Sequence, residues 1–206
     1  MAGKVFFSVS MSLDGFIAPE PPEELMGRQW RELQAWVFPQ RYFRERLHLG
    51  EGGEEGRDND VLRETFERTG ASVMGRRMFD AGEHAWPEEA PFRTPVLVVT
   101  HQERDPWERP GGTTFSFVTD GIEAALDRAR EAAGDRDVRI AGGGATIGQY
   151  LDAGLVDEFS VAVSPVLFGS GVRLFDGVDA GRVALEQVRA ESTARVTHLT
   201  YAVRRR

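Results

Sequence analysis

Residues Asp137–Leu151 read DVRIAGGGATIGQYL, a buried strand that turns through three consecutive glycines into a helix. The apolar face of the predicted helix consists of Ile147, Tyr150 and Leu151. Glycine lets backbone N–H groups approach an anion at a helix N-terminus without side chains in the way. This stretch therefore predicts a site for a phosphate-bearing ligand. The alternative is a tight turn that binds nothing.

The composition indicates one cytoplasmic domain that spans all 206 residues. A hydrophobic content of 41% is enough for a core, and the absence of cysteine excludes disulfides and thiol catalysis. The net charge of −8 argues against a nucleic-acid partner. The N-terminus lacks the pattern of a signal peptide, and no apolar run approaches the roughly 20 residues that span a bilayer. We therefore expect no membrane association.

Strands and helices alternate along most of the chain. The continuous apolar run Val96–Val99 predicts a strand buried on both faces, as in a parallel sheet. Residues 183–188 and 196–203 alternate apolar and polar side chains, which is typical of an antiparallel hairpin. The order predicts an α/β sheet that is mainly parallel and ends in antiparallel strands.

Helix boundaries and one insertion can also be predicted. Asp60 is expected to cap a helix over 61–69 that stops at Gly70, and Asp120 to cap a helix that begins near Ile122. The acidic, glycine-rich run 50–56 has no pattern to bury and predicts a mobile loop that could act as a lid.

Two further candidate sites follow predicted strands. Gly75, Arg76 and Arg77 come directly after one strand, and Thr100 and His101 after another. Ligands of open α/β sheets bind at the carboxyl ends of the strands, where arginines can bind phosphates bidentately. The alternative is that the arginines and the imidazole are solvated surface groups.

The remaining motifs are less specific. Asp14 precedes Gly15 in a turn, where aspartate commonly serves turn geometry, and a carboxylate that contacts substrate is the other interpretation. The four histidines show no spacing typical of metal ligands, so no metal is expected. Ile147 replaces the third glycine of a dinucleotide-binding fingerprint, so that motif is incomplete.

Five segments in order resemble the dihydrofolate reductase superfamily, and most closely the C-terminal reductase domain of the bifunctional riboflavin-biosynthesis deaminase/reductase. They are 10–18 (SMSLDGFIA), 73–79 (VMGRRMF), 95–100 (PVLVVT), 140–146 (IAGGGAT) and 165–171 (PVLFGSG). The resemblance implies a dihydrofolate-reductase-like, three-layer α/β/α fold, with a mostly parallel central sheet and antiparallel C-terminal strands. Residues 19–57 would be a lid-like insertion in this single domain, 1–206.

The resemblance also implies an NADPH-binding oxidoreductase and the residues that would form its site. Asp14 would be the catalytic residue, through substrate contact or a proton relayed by water. The other site residues fall into two groups by the ligand they would contact. For the cofactor these are Leu13, Gly15, Ile17, Gly75, Arg76, Arg77, Thr100, His101, Gly142, Gly143, Gly144, Ala145 and Thr146. For the substrate they are Phe168, Gly169, Ser170 and Gly171.

The implied reaction is hydride transfer from NADPH to a C=N or C=O group of a heterocyclic small molecule, either a ribosylaminopyrimidine of the riboflavin pathway or a pterin. Dihydrofolate reductases carry an acidic residue on their first helix, and Asp58 and Asp60 fall near that place. The aromatic residues Trp30, Trp36, Phe38, Tyr42 and Phe43 could line the pocket or cover a partner subunit. The resemblance further implies a homodimer. The alternative function is a non-catalytic nucleotide-binding or regulatory protein that retains the fold.

Overall fold

A computed structural model describes residues 3–20 and 27–206. The strands are β1 (Val5–Ser12), β2 (Phe16–Ala18), β3 (Thr69–Gly75), β4 (Pro95–Val99), β5 (Trp107–Arg109), β6 (Thr113–Val118), β7 (Asp137–Gly142), β8 (Glu158–Ser164), β9 (Val172–Arg173), β10 (Val183–Ser192) and β11 (Thr197–Arg205). The helices are α1 (Arg28–Leu33), α2 (Arg41–Arg46), α3 (Arg57–Arg68), α4 (Arg76–Glu83), α5 (Ile122–Ala133) and α6 (Gly144–Asp152). Residues 21–26 of the predicted insertion lie outside the described residues.

Nine strands form one sheet in the order β10-β11-β8-β1-β7-β3-β4-β6-β5. The six strands from β8 to β6 pair in parallel. β11 pairs antiparallel with both β8 and β10, and β5 pairs antiparallel with β6. The predicted mostly parallel sheet with antiparallel C-terminal strands is confirmed.

Helices cover both faces of this sheet, because successive side chains of a strand point to opposite faces. In β3, Val73 belongs to the core cluster that includes Leu126 of α5. The next residue, Met74, belongs to a second cluster with Phe79 of α4. The predicted three-layer α/β/α arrangement is therefore confirmed.

The predicted start of α5 near Ile122 is confirmed, but both predicted helix caps and the predicted start of α3 are wrong. α3 begins at Arg57 and α5 at Ile122, with Gly56 and Gly121 as caps, and neither cap makes a side-chain hydrogen bond. Asp60 lies inside the first turn of α3, and Asp120 accepts a hydrogen bond from Arg128 Nη2 at 2.7 Å. Carboxylates this near a helix N-terminus still interact favourably with the helix dipole.

Gly70 does not end a helix but lies in β3, since α3 has ended at Arg68. A Cβ atom at Gly70 would lie 2.8 Å from the backbone of Ala133. The glycine is therefore required by the close approach of β3 to the end of α5.

The acidic loop 50–56 is tied to the body of the protein. Glu54 N donates to Pro39 O at 2.7 Å, and Arg41 N donates to Glu54 O at 2.9 Å. The Glu54 carboxylate also accepts a hydrogen bond from Arg195 Nε at 3.1 Å. Movement of this loop as a lid stays a prediction. Among the helices of the described ranges, none is long and apolar enough to cross a membrane.

Phe79→Ala should destabilise the fold by about 3–5 kcal/mol, because Phe79 is fully buried among Trp86, Phe115 and Phe117. The measurement is urea denaturation followed by tryptophan fluorescence. Leu167→Ala is the control, since 71% of Leu167 is exposed and its truncation should change stability little. Equal midpoints for the two variants would contradict the assignment of this core.

Candidate active site

A cleft of about 920 Å³ lies where the carboxyl ends of β3, β4 and β7 meet. Parallel strands that run in one direction bring their terminal residues to the same edge of a sheet. Helices α4 and α6 begin at this edge, directly after β3 and β7. The predicted sites after these strands are therefore neighbours in space.

The cleft has two chemically distinct parts. One, here called the nucleotide half, contains glycines, arginines and small polar groups at the strand ends. These residues are Gly75, Arg76, Arg77, Thr100, His101, Gly142, Gly143, Gly144, Ala145 and Thr146. The other, here called the aromatic half, is lined by large apolar side chains and a few polar ones. These residues are Ser8, Ser10, Trp30, Gln34, Trp36, Phe38, Phe43, Thr65, Phe66 and Arg139.

The glycine turn between β7 and α6 exposes backbone in the nucleotide half. Gly142 has a φ of 131°, which disfavours other residues, and the Gly142–Gly143 peptide bond is cis. A Cβ atom at Gly143 would meet nothing within 4 Å, so open space lies in front of this residue. Gly143 caps α6 without a side-chain hydrogen bond. The first N–H groups of α6 are thus available to an anion.

Gly75 and Thr146 lie where the end of β3 packs against the start of α6. A Cβ atom at Gly75 would lie 2.3 Å from Thr146 Oγ1, so any larger residue at 75 would separate β3 from α6. Arg76 and Arg77 follow at once on α4. Arg76 Nε pairs with Asp80 at 2.6 Å, and Arg77 is exposed, with no ion pair found among the residues that the structure describes.

Thr100 and His101 complete the nucleotide half but differ in exposure. Thr100 is buried, and its Oγ1 accepts a hydrogen bond from Gln102 N at 3.1 Å. The His101 side chain is exposed beside it. The structure brings eleven of the predicted cofactor residues to the cleft. They are the ten residues of the nucleotide half and Ile17.

Asp14 lies outside the lining of the cleft and holds a neighbouring loop. Its carboxylate accepts hydrogen bonds from Ser12 Oγ at 2.6 Å, Gly169 N at 2.7 Å and Phe168 N at 3.1 Å. The Ser12 hydroxyl and these backbone N–H groups lower the pKa of Asp14 to about 2, although partial desolvation opposes them. These hydrogen bonds show that the Asp14 carboxylate positions the loop at 168–169, and its catalytic role stays a prediction. Its neighbours Leu13 and Gly15 also lie outside the lining, and Leu13 is 67% exposed.

The predicted substrate residues 168–171 support the cleft from outside its lining. Phe168 is buried against Phe16, with ring centroids 6.4 Å apart. Gly169 donates to Asp14, and Ser170 is exposed. A Cβ atom at Gly171 would lie 2.5 Å from Ala18 O, so this glycine permits the pairing of β9 with β2. The PVLFGSG pattern thus marks a packed turn.

Most of the insertion's aromatic residues reach the cleft. Trp30, Trp36, Phe38 and Phe43 line the aromatic half, and Tyr42 does not. Phe66, Gln34 and Arg139 lie in the same half and were not predicted. The sequence holds a signal for Arg139, because it is a charged residue flanked by the apolar residues Val138 and Ile140 of β7.

Neither acidic residue near the start of α3 faces the cleft. Asp58 is buried, where Oδ1 lies 2.7 Å from His198 Nε2 and Oδ2 accepts from Thr193 Oγ1 at 3.1 Å. Asp60 lies 3.5 Å from Arg63 Nη1. The α3 residues that line the cleft are instead Val61, Leu62, Thr65 and Phe66. In the described ranges, no group of three or more His, Asp or Glu side chains could hold a metal ion.

The model of the RibD C-terminal domain matches residues 3–199. The chain belongs to the RibD C-terminal domain family. Two Bacillus subtilis (strain 168) proteins of uncharacterized function are similar in sequence. YwjB is 24% identical over 121 residues, which are 59% of this chain and 67% of YwjB. YyaP is 33% identical over 72 residues, which are 35% of this chain and 37% of YyaP.

Three solved structures share the fold over almost the whole chain. A Shewanella sp. PV-4 protein assigned to riboflavin biosynthesis has a TM-score of 0.66 at 23% identity and covers 98% of this chain and 99% of its own. Dihydrofolate reductase from Enterococcus faecalis, complexed with NADP(H) and RAB-propyl, has a TM-score of 0.57 at 13% identity, with 98% of each chain covered. A pyrimidine reductase-like protein of Corynebacterium diphtheriae has a TM-score of 0.61 at 12% identity and covers 99% of this chain and 93% of its own. The dihydrofolate-reductase-like fold is therefore confirmed, and the family is of reductase type.

Asp14→Asn should lower the Tm at pH 7, because the amide lacks the charge that strengthens the hydrogen bonds from residues 168 and 169. The folded pKa of about 2 is below the usual 3.8, so this stabilisation is present above about pH 4 and is lost as the pH falls toward 2. The Tm difference between variant and wild type should therefore shrink over that interval.

The measurement is the Tm of both proteins at a series of pH values from 7 to 2. Asp127→Asn is the matched control, because that side chain is 79% exposed and makes only a long 3.8 Å pair with Arg130. A Tm deficit for Asp14→Asn that is the same at pH 2 and pH 7 would show that the charge plays no part.

Proposed function

We propose that this protein is an NADPH-dependent reductase of heterocyclic small molecules. The observation that carries the proposal is the open backbone at Gly143, at the start of α6 and in one cleft with Arg76 and Arg77. A helix N-terminus without side chains suits a pyrophosphate, and nearby guanidinium groups suit the 2′-phosphate that distinguishes NADPH from NADH.

The residues present fit this cofactor. Backbone N–H groups of Gly143, Gly144 and Ala145 would hold the pyrophosphate, and the exposed Arg77 would reach the adenosine end. The similar Enterococcus faecalis enzyme is complexed with NADP(H), which supports the choice. Bound NADPH supplies a hydride from C4 of its nicotinamide to a C=N or C=O group. The chain's own residues orient the reactants and exclude water.

The aromatic half would hold the substrate. Trp30, Trp36 and Phe38 offer flat surfaces for a heterocycle. Ser10 and Gln34 hold Trp36 in place, since Trp36 Nε1 donates to Ser10 Oγ at 2.9 Å and that hydroxyl donates to Gln34 Oε1 at 2.9 Å. The family supports a ribosylaminopyrimidine of the riboflavin pathway as substrate, 5-amino-6-(5-phosphoribosylamino)uracil. The cleft-facing residues of α3 include no carboxylate, which makes a pterin the weaker choice.

NADPH should raise the Tm more than NADH at equal concentration. At 100 times its Kd, NADPH would stabilise the folded state by about 2.7 kcal/mol. For a chain of this size, that corresponds to a Tm increase of about 5–10 °C. Differential scanning fluorimetry with each nucleotide at about 1 mM, which is about 100 times a Kd of about 10 μM, makes the comparison. Absence of any shift with either nucleotide would refute the proposal.

Gly143→Val should raise the Kd for NADPH about tenfold or more, by placing methyl groups where the pyrophosphate would lie. The backbone at Gly143 has φ −77° and ψ −170°, which valine adopts, and nothing lies within 4 Å of its Cβ position, so the fold should be kept. Gly148→Ala is the control in the same helix, because its Cβ would make an ordinary 3.6 Å contact with Val178.

Isothermal titration calorimetry gives both Kd values, and circular dichroism checks that both variants are folded. An unchanged Kd for Gly143→Val would place the cofactor elsewhere. The alternative function, a regulatory nucleotide-binding protein, would be favoured by NADPH binding without NADPH oxidation on a panel of pyrimidines, pterins and related heterocycles.

A further inference from the structure

Arg139 is the one charged side chain that lines the aromatic half of the cleft, as far as the described residues show. It lies on β7, between the buried residues Val138 and Ile140, and points to the face of the sheet opposite to them. Its guanidinium lies 5.2 Å from the centre of the Phe66 ring. A positive charge therefore lies beside an aromatic ring on the wall of the proposed substrate pocket.

The hydrogen bonds of this guanidinium are incomplete. Nη2 donates to Ser8 O at 3.2 Å, but Nε is buried and has no partner in the described parts of the chain. Burial lowers the pKa of Arg139 to about 10, and the nearby cation Arg46 adds to this effect. Arg139 thus stays charged at neutral pH, in a place where charge is disfavoured.

The neighbouring Arg46, in contrast, has backbone acceptors for its guanidinium hydrogen bonds. Its guanidinium lies 4.4 Å from the same Phe66 ring, and it donates to Pro91 O and Phe92 O, each at 2.6 Å. Buried charges are normally paired or fully hydrogen-bonded, because an unsatisfied one costs several kcal/mol. Arg139 departs from that rule, and its side chain lines a cleft from which a ligand can approach the guanidinium.

We propose that Arg139 determines substrate specificity by binding a planar, carboxylate-like oxyanion carried on an aromatic or heteroaromatic ring. This inference rests on the proposed function, because it takes the aromatic half as the substrate's place. It departs from 5-amino-6-(5-phosphoribosylamino)uracil, whose ring carries no such oxyanion, and makes a heterocycle with a ring carboxylate the preferred substrate. A guanidinium fork matches a planar group with two oxygens. A phosphate dianion, with about two charges and three acceptor oxygens, would require more donors than this single fork provides. The flat ring would lie among Trp30, Phe38 and Phe66.

The charges of the aromatic half are opposite to those of a pocket that binds its ligand through a protein carboxylate. Asp58, the acidic residue that the sequence places near such a position, is hydrogen-bonded to His198 and Thr193 outside the cleft. The polar groups of the aromatic half include a cation but, among the residues described, no anion. A substrate that presents an acceptor is therefore favoured over one that presents N–H donors.

The test compares two probes of the same shape, 2-naphthoate and its neutral amide, 2-naphthamide, by calorimetric titration. Wild-type protein should bind the carboxylate about tenfold or more tightly than the amide, since charge-assisted hydrogen bonds are about twice as strong as neutral ones. Arg139→Met keeps the length of the side chain and should abolish this preference. Arg139→Lys keeps the charge but not the fork and should retain only part of it.

Arg63→Met is the control for net charge, because Arg63 lies on α3 outside the lining of the cleft and should leave the preference unchanged. The Tm of Arg139→Met should equal or exceed that of wild type, since the variant removes an unsatisfied buried donor. A merely structural arginine would instead lower the Tm when replaced.

The titrations are made with and without saturating NADPH. Failure of NADPH to bind would contradict the proposed function. The role of Arg139 would then be decided by the naphthoate preference measured without NADPH. Displacement of NADPH by naphthoate would overturn the placement in the aromatic half. Equal affinities of wild type for the two probes, no naphthoate binding near about 1 mM, or an unchanged preference in Arg139→Met would overturn the role of Arg139.

Discussion

The contact between Gly75 and Thr146 fixes the geometry on which the rest of the site depends. Because the Cβ position of Gly75 lies 2.3 Å from Thr146 Oγ1, the end of β3 packs directly against the Thr146 side chain in the first turn of α6. This contact brings Arg76 and Arg77 beside the exposed backbone of Gly143. Neither a strand end nor a helix N-terminus is a specific site alone. Together they place guanidinium groups and backbone N–H donors where both can interact with the same anion.

Local charge in the cleft runs against the charge of the whole chain. The protein carries a net charge of −8, yet the charged side chains that line the cleft are three arginines and Asp80, and Asp80 pairs with Arg76. Other acidic residues lie outside the cleft, and some form exposed ion pairs that stabilise little, such as Asp120 with Arg128. A cleft with low-dielectric walls concentrates the field of its own charges, so an anionic cofactor and an anionic substrate are compatible with an acidic protein.

Periodicity and strand order could be read from the sequence because they are local. The apolar run 96–99 and the alternating residues after 183 specify buried and half-exposed strands without knowledge of their neighbours, and the glycine turn at 142–144 carries its own conformational reason. The predictions that failed depend on what lies opposite in space. Gly70 was predicted to end a helix, but the structure requires a glycine there because Ala133 lies close by. Asp60 and Asp120 were predicted to be helix caps, but the cap positions are occupied by Gly56 and Gly121. The hydrogen bonds that Asp14 accepts from the N–H groups of residues 168 and 169, more than 150 positions away, could not be predicted from its neighbours in sequence, and its catalytic role stays a prediction.

Two buried ionisable groups on the same side of the sheet show how differently one fold treats charge. Asp58 is surrounded by His198 and Thr193, and Trp36 packs edge-on against that histidine at 5.1 Å, so this charge belongs to the structural core. Arg139 has one backbone acceptor and an aromatic ring, although a methionine would fill its place without an unsatisfied donor. A sequence selected for stability alone would favour the apolar residue, because replacing buried charge by a packed hydrophobic group is commonly neutral or stabilising. The arginine therefore makes physical sense if it meets an acceptor that arrives with the substrate.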